Sequence, residues 1–133
     1  DHYCLIVPPG HELAYERSIA LADLNGQKFI ERTYCDRNSE WAEFLRVNDI
    51  NVSYAAAVDN EEWALSLVEA GVGIAVVPLY QAQYYSHRFV VRELGEIEGM
   101  QSIRRSVGVS IPIKNLTNPS IENIKQKLTN ELP

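Results

Sequence analysis

Arg32-Thr33-Tyr34-Cys35-Asp36-Arg37 sets two guanidinium groups, a hydroxyl, a phenol, a thiol and a carboxylate side by side, directly after the strand-like run 27–31. The segment lacks periodicity and reads as a loop at a strand's carboxyl end, where open α/β sheets hold their ligands. Two more predicted strand ends, Val58-Asp59-Asn60 and Val77-Pro78-Leu79-Tyr80, carry suitable side chains. The chemistry is recognition rather than bond breaking. Thr33 and Asn60 offer hydrogen bonds, Tyr34 a packed ring, and Arg32 or Arg37 a countercharge for a carboxylate. Cys35, Asp36 and Asp59 lie among them, with Pro78 and Tyr80 as wall. Adjacent helix N-termini add free N–H groups that suit an anion. Plainer roles stay open: Asn60 as a helix cap, Arg37 as a solvated charge, Tyr34 as a cover for the core.

Catalysis finds no comparable support. G-x-S-x-G and H-E-x-x-H are absent, and His2, His11 and His87 are scattered over loops and strand starts. Asp59, Glu61 and Glu62 read as first-turn helix charges, and Glu93, Glu96 and Glu98 as a solvated loop, so neither an enzyme nor a metal or cofactor site is expected. Gly71-Val72-Gly73 imitates a dinucleotide turn in the wrong order, because these glycines follow a helix and open a strand.

Composition narrows the partners. The 133 residues hold 12 Lys and Arg against 18 Asp and Glu, a net charge of −6, and only Arg104-Arg105 are adjacent basic residues. Such a surface repels a phosphate backbone, which argues against direct nucleic-acid binding by this chain. No run approaches the roughly 18 apolar residues of a membrane span, and no leader pattern is visible. Cys4 and Cys35 lack a C-x-x-C spacing and read as free thiols of a reducing compartment, which favours the cytoplasm. The sequon Asn115-Leu116-Thr117 carries no weight without secretion, and a start at Asp1 suggests a processed product or a piece of something longer.

The elements that must position the loops follow from the apolar pattern. Residues 3–7 form a strand stopped by Pro8-Pro9-Gly10, 18–25 a short helical turn, and 27–31 a second strand. Trp41, Phe44 and Leu45 open a helical stripe, and 52–58 make a third strand. Asp59 and Asn60 begin a helix whose stripe runs through Trp63, Ala64, Leu67 and Val68 to a left-handed stop at Gly71. Ile74 to Val77 is a short β-branched run closed by Pro78, expected as a parallel strand at the end of a right-handed βαβ unit. A helix over 79–85, a strand over 88–92 and an acidic loop over 93–101 come next. Val107, Val109, Ile111 and Ile113 alternate as in a strand with one covered face, and Asn118-Pro119 caps a helix lined by Ile121, Ile124 and Leu128.

In series, Gly10-His11-Glu12-Leu13-Ala14, then Ile19 to Gly26 followed by Lys28-Phe29-Ile30, then Leu67-Val68-Glu69-Ala70-Gly71-Val72-Gly73-Ile74-Ala75-Val76-Val77-Pro78 resemble the effector-binding domain of LysR-type transcriptional regulators. One departure from the family's pattern is Glu12, where the family usually carries proline. The resemblance implies an α/β, three-layer sandwich with a mixed, mostly parallel sheet, one lobe of a two-lobed, periplasmic-binding-protein-like fold. Residues 8–102 would be the second lobe, 1–7 and 103–113 hinge strands, and 114–133 the C-terminal helix of the first lobe, with the DNA-binding domain absent. It further implies a small-molecule effector held between lobes, DNA contact only through the missing N-terminal domain, self-association and no membrane. An extracytoplasmic solute-binding lobe shares the architecture and stands as the alternative. Tyr34-Cys35-Asp36-Arg37 also resembles the segment around the reactive cysteine of the family's peroxide sensors, with Arg37 to lower the thiol pKa, although Phe44 occupies the place of the resolving cysteine.

Overall fold

Tyr3–Val7 (β1) is buried at all five residues and pairs on both edges, which makes it the hub of the molecule. The computed structural model describes residues 1–95, 97, 100 and 103–131. After β1 come a short helix α1 (Glu12–Tyr15), a 3-10 turn at Leu21–Leu24, β2 (Lys28–Arg32), α2 (Asn38–Val47), β3 (Ser53–Val58) and α3 (Glu61–Glu69). β4 (Ala75–Pro78), α4 (Leu79–Tyr84), β5 (Val90–Glu93), a 3-10 turn at Ile113–Asn115 and α5 (Pro119–Glu131) complete the order.

β1 lies antiparallel between β4 and β5, with Tyr3 opposite Pro78 and Cys4 opposite both Val77 and Glu93. β2 and β3 pair in parallel, from Lys28 opposite Ser53 to Arg32 opposite Val58. One parallel bridge joins the two sheets: the Ile30 amide donates to the Ile74 carbonyl (2.8 Å) and the Ile74 amide to the Lys28 carbonyl (2.9 Å). The sheet is therefore mixed. The parallel strand expected after Gly71 is parallel only where Ile74 meets β2, since β4 itself runs against β1.

Both faces are covered. Tyr3, Leu5 and Val7 join Leu13, Leu24, Phe29 and Ile74 beneath Trp41 and Phe44 of α2. Cys4 and Ile6 point the other way, onto Ala64, Leu65 and Val68 of α3 and onto Ala82 and Phe89. Period-2 alternation along β1 thus feeds two cores. α3 ends as its sequence requires: Gly71 has φ +80°, its amide donates to Val68 (2.9 Å) and that of Val72 to Leu67 (3.0 Å), a Schellman closure. Gly73 allows close approach, because a Cβ there would sit 2.8 Å from the Lys28 carbonyl oxygen.

Several expectations are corrected. Residues 107–112 form no strand, and Val107, Val109 and Ile113 are exposed; among the described residues none pairs with them in a ladder. α5 forms, yet none of its described residues is buried. Trp63 lies outside the core and Leu65 takes the inward position, since α3 turns its Ala64-Leu65-Val68 face to the sheet. Of the two residues that begin α3, Asn60 is the cap, its Oδ1 accepting from the Trp63 amide (3.0 Å), the plainer role left open for it. The turn expected over 18–25 tightens to Leu21–Leu24, and α1 was not anticipated. In the acidic stretch 93–101, Leu94, Ile97 and Met100 are core residues, whereas Glu96 and Glu98 lie outside the described residues.

Candidate functional site

β2 delivers Arg32 to the sheet's end, where the side chain is buried, and the chain then turns through residues 33–37 into α2. The Arg32 guanidinium is fully engaged. Nη2 donates to Glu61 Oε2 (2.8 Å), Nη1 to the Val76 carbonyl (3.0 Å) and Nε to the Tyr34 hydroxyl (3.0 Å). Tyr34 in turn donates to the same Glu61 oxygen. Burial alone would pull the Arg32 pKa down, but Glu61 and Tyr34 outweigh it and the net shift is upward. Burial, then the Glu61 hydrogen bond, pushes the Tyr34 phenol up. Glu61 Oε1 is buried without a partner. The cation expected to meet an effector is thus neutralised from within, and it ties β2 and β4 to the first turn of α3.

The remaining predicted residues separate into several environments. Thr33 anchors the loop through its amide and hydroxyl, both donating to the Val58 carbonyl (2.9 Å each). Together with Asp59 and Trp63 it lines a shallow groove at the β3 end. Asn60 spends its carbonyl oxygen on the α3 cap, and its Nδ2 donates to Asp59 (3.1 Å). Pro78 is a strand residue opposite Tyr3. Tyr80 faces a different groove, with Asp1, Tyr84, Arg105 and Val107.

Arg32, Cys35 and Arg37 do converge, on a small cavity of about 80 Å³ between α2 and the sheet. Tyr3, Phe29, Trp41, Tyr54, Met100 and Ile103 supply most of the apolar wall, and Glu31 and Asn38 add polar groups. The Tyr3 hydroxyl lies 3.7 Å from Cys35 Sγ and donates to Asp36 Oδ1 (3.4 Å), and burial raises its pKa. Asn38 donates to the Arg32 carbonyl, and Arg37 pairs with Glu40 while its buried Nε has no partner. Sequence reasoning missed Tyr3, Tyr54 and Met100, and took Trp41 for a helix-stripe residue only. An aromatic one turn into a helix that begins at a polar strand-end loop was the available signal for Trp41; nothing in the sequence marked Met100.

The two thiols cannot meet. Cys4 packs on the α3 side of the sheet and Cys35 on the α2 side, so β1 itself stands between them. Burial pushes the Cys4 thiol up to about 12. Among the described residues no cluster of three or more His, Cys, Asp or Glu side chains could hold a metal, and no helix is long and apolar enough to cross a membrane.

Solved structures share the fold: the Synechocystis CcmR regulatory domain in complex with 2-PG has a TM-score of 0.71 at 17% identity, over 98% of this chain and 64% of its own. The regulatory domain of MetR, a LysR family regulator from N. meningitidis, gives 0.65 at 19% identity, over 99% and 63%. The effector binding domain of QuiR in complex with shikimate gives 0.63 at 20% identity, over 71% and 46%. This chain therefore spans less than two thirds of the length of these relatives. Among curated proteins, none matches it by sequence. The family model for the LysR substrate binding domain matches residues 1–132, and the chain belongs to that family.

Proposed function

We propose that this chain is the effector-sensing part of a LysR-type transcription regulator, and that it binds a small, anionic molecule at the β2–α2 end of the lobe. The observation that carries this reading is the cavity where Arg32, Cys35 and Arg37 converge, at a strand's carboxyl end in a domain of this family. QuiR and CcmR were solved with small acidic ligands, shikimate and 2-PG, which favours an acid here as well. Residues 8–102 serve as the second lobe, 1–7 and 103–113 as hinge segments and 114–133 as first-lobe helix. The exposure of Val107, Val109, Ile113 and Ile124 supports that division, since these side chains await a covering surface. The chain acts in the cytoplasm, in a self-associating regulator whose DNA contacts belong to a separate N-terminal domain. Its role is binding, not catalysis. A peroxide-sensing disulfide is disfavoured, because the two thiols lie on opposite faces of the sheet.

Thermal unfolding against a panel of low-molecular-weight organic acids tests the reading. A ligand at 100 times its Kd stabilises by about 2.7 kcal/mol, a shift of several degrees, and Arg37→Ala should remove it. A chain indifferent to every acid in a broad panel would overturn it.

A further inference from the structure

The first residues of the chain and the segment that follows Ile103 are fastened to each other beside the start of α4. The Asp1 nitrogen donates to the Arg105 carbonyl (3.2 Å) and the Arg105 amide to the Asp1 carbonyl (3.1 Å), a two-way rung in register with the antiparallel bridge between His2 and Arg104. The Asp1 carboxylate is only 4% exposed and uses both oxygens at this junction. Oδ2 accepts from Arg105 Nε (3.1 Å) and Nη2 (3.0 Å), and Oδ1 accepts from the Tyr80 amide (3.4 Å) in the first turn of α4. The neighbouring Leu79 amide donates to the His2 carbonyl (2.8 Å). Entering strand, departing segment and helix therefore meet at one side chain. Past Arg105 the ties change character. Among the described residues 106–131, the hydrogen bonds and the Lys125–Glu122 ion pair stay within the segment, and Val107 only borders a groove with Tyr80 and Tyr84 while remaining exposed. Arg105 is thus the last of the described residues with a polar tie to the lobe.

From this junction we infer that Asp1 is a hinge clamp: its carboxylate fastens the departing segment to α4 through Arg105 and so places the pivot of residues 106–131 just after Arg105. A terminal rung of a ladder frays unless side chains hold it. Here the buried ion pair holds it, because removing either partner leaves the other charge poorly solvated. The inference rests on the division proposed above, in which 1–7 and 103–113 are hinge segments, and it adds the residue that fixes where the hinge turns.

The test is backbone nitrogen relaxation by NMR on the wild-type chain and on Asp1→Ala, Asp1→Asn and Arg105→Gln. In the wild type the order parameter should hold at about 0.85 through Arg105 and drop below about 0.6 within the next few residues. Asp1→Ala and Arg105→Gln should each move that step back to Ile103, which the core retains. Asp1→Asn separates the two oxygens. It keeps an acceptor for the Tyr80 amide, so exchange there should stay at the wild-type rate, whereas Asp1→Ala should speed it about fivefold, the loss of a helix cap; Arg105 should loosen in both. The amides of β1 report whether the lobe remains folded, and should one variant unfold, the other is read in its place. A step that stays put in a folded Asp1→Ala or Arg105→Gln would overturn the inference. So would a wild-type Arg105 that is already loose, or a wild-type chain that stays rigid through residue 113. None of these outcomes touches the sensing reading, which stands or falls on whether an acid of the panel stabilises the chain through Arg37.

Discussion

The lobe built on β1 and the C-terminal segment 104–131 carry apolar patterns of similar quality, yet only the first becomes a core. In β1 all five residues are buried, on two faces. In the second region, Val107, Val109 and Ile113 alternate without forming a strand, and of the helix stripe Ile121, Ile124 and Leu128 the first and last are half-buried and Ile124 is exposed. The difference lies in where each element finds its hydrogen bonds. A helix satisfies its backbone locally, so α5 forms from its own cap and propensities, whereas a strand needs a neighbour, and among the described residues none pairs with 107–113. Amphipathic pattern therefore announces a partner surface without supplying it.

Truncating a side chain in each region breaks the comparison most sharply. Phe29→Ala removes a buried ring that contacts Trp41 and should cost about 3–5 kcal/mol in urea unfolding. Ile124→Ala, on the exposed face of α5, should change the midpoint by no more than about 0.5 kcal/mol. Equal losses at the two positions would mean that the C-terminal stripe is packed in solution.

Next in size is the ion pair that closes the lobe. Arg32→Met leaves Glu61 buried beside an apolar side chain and should destabilise by about 3 kcal/mol, and adding Glu61→Gln should recover part of that. The exposed Arg46–Glu43 pair on α2 serves as control, and Arg46→Met should leave the urea midpoint unmoved.

These contrasts also show what the sequence made legible. Element order was readable because Gly71, Pro78 and the Asn118-Pro119 cap punctuate the chain and the apolar periods between them are clean. The pairing was not, since nothing in Ile74–Val77 says that one residue will meet β2 in parallel while the rest run against β1. The strand-end loop was found from its polar composition, and Arg32, Cys35 and Arg37 do share a cavity. What escaped was the neutralisation of Arg32, because Glu61 stands 29 positions away and composition carries no distances. Tyr54 escaped for the same reason: on a strand with small neighbours, only the placement of α2 turns it into a wall.

Alkaline pH should weaken the lobe at one identifiable position. The Cys4 thiol moves from its ordinary 9.0 to about 12, through burial first and then the nearby Glu93. An acid whose folded pKa is raised contributes its full stability below the unfolded value and loses it as pH climbs toward the folded one, here from 9.0 to about 12. The slope is about 1.4 kcal/mol per pH unit, so moving from pH 8 to 10 should cost about 1 kcal/mol from this group. Cys4→Ala should flatten the urea midpoint across that interval, and an unchanged slope would assign alkaline sensitivity to Tyr3 and Tyr34 instead. The exposed C-terminal segment contributes no comparable buried acid among its described residues.

The finest test uses the same side chain in both regions. Asn60 caps α3 by accepting from the Trp63 amide at 3.0 Å, and Asn118 begins α5 by accepting from the Ser120 amide, also at 3.0 Å. The local interaction is alike, and replacement by Ala costs a cap about 1 kcal/mol. What that loss does depends on coupling. α3 is fixed to the sheet by Ala64, Leu65 and Val68, so it frays only when the core opens and Asn60→Ala should lower global stability by the full amount. No described residue of α5 is fully buried, and Asn118→Ala should appear only as faster amide exchange over 119–131, with the urea midpoint unmoved. A global loss from Asn118→Ala would show that α5 is coupled to the lobe after all, and would turn its exposed stripe from a surface waiting for a partner into one that has already found it.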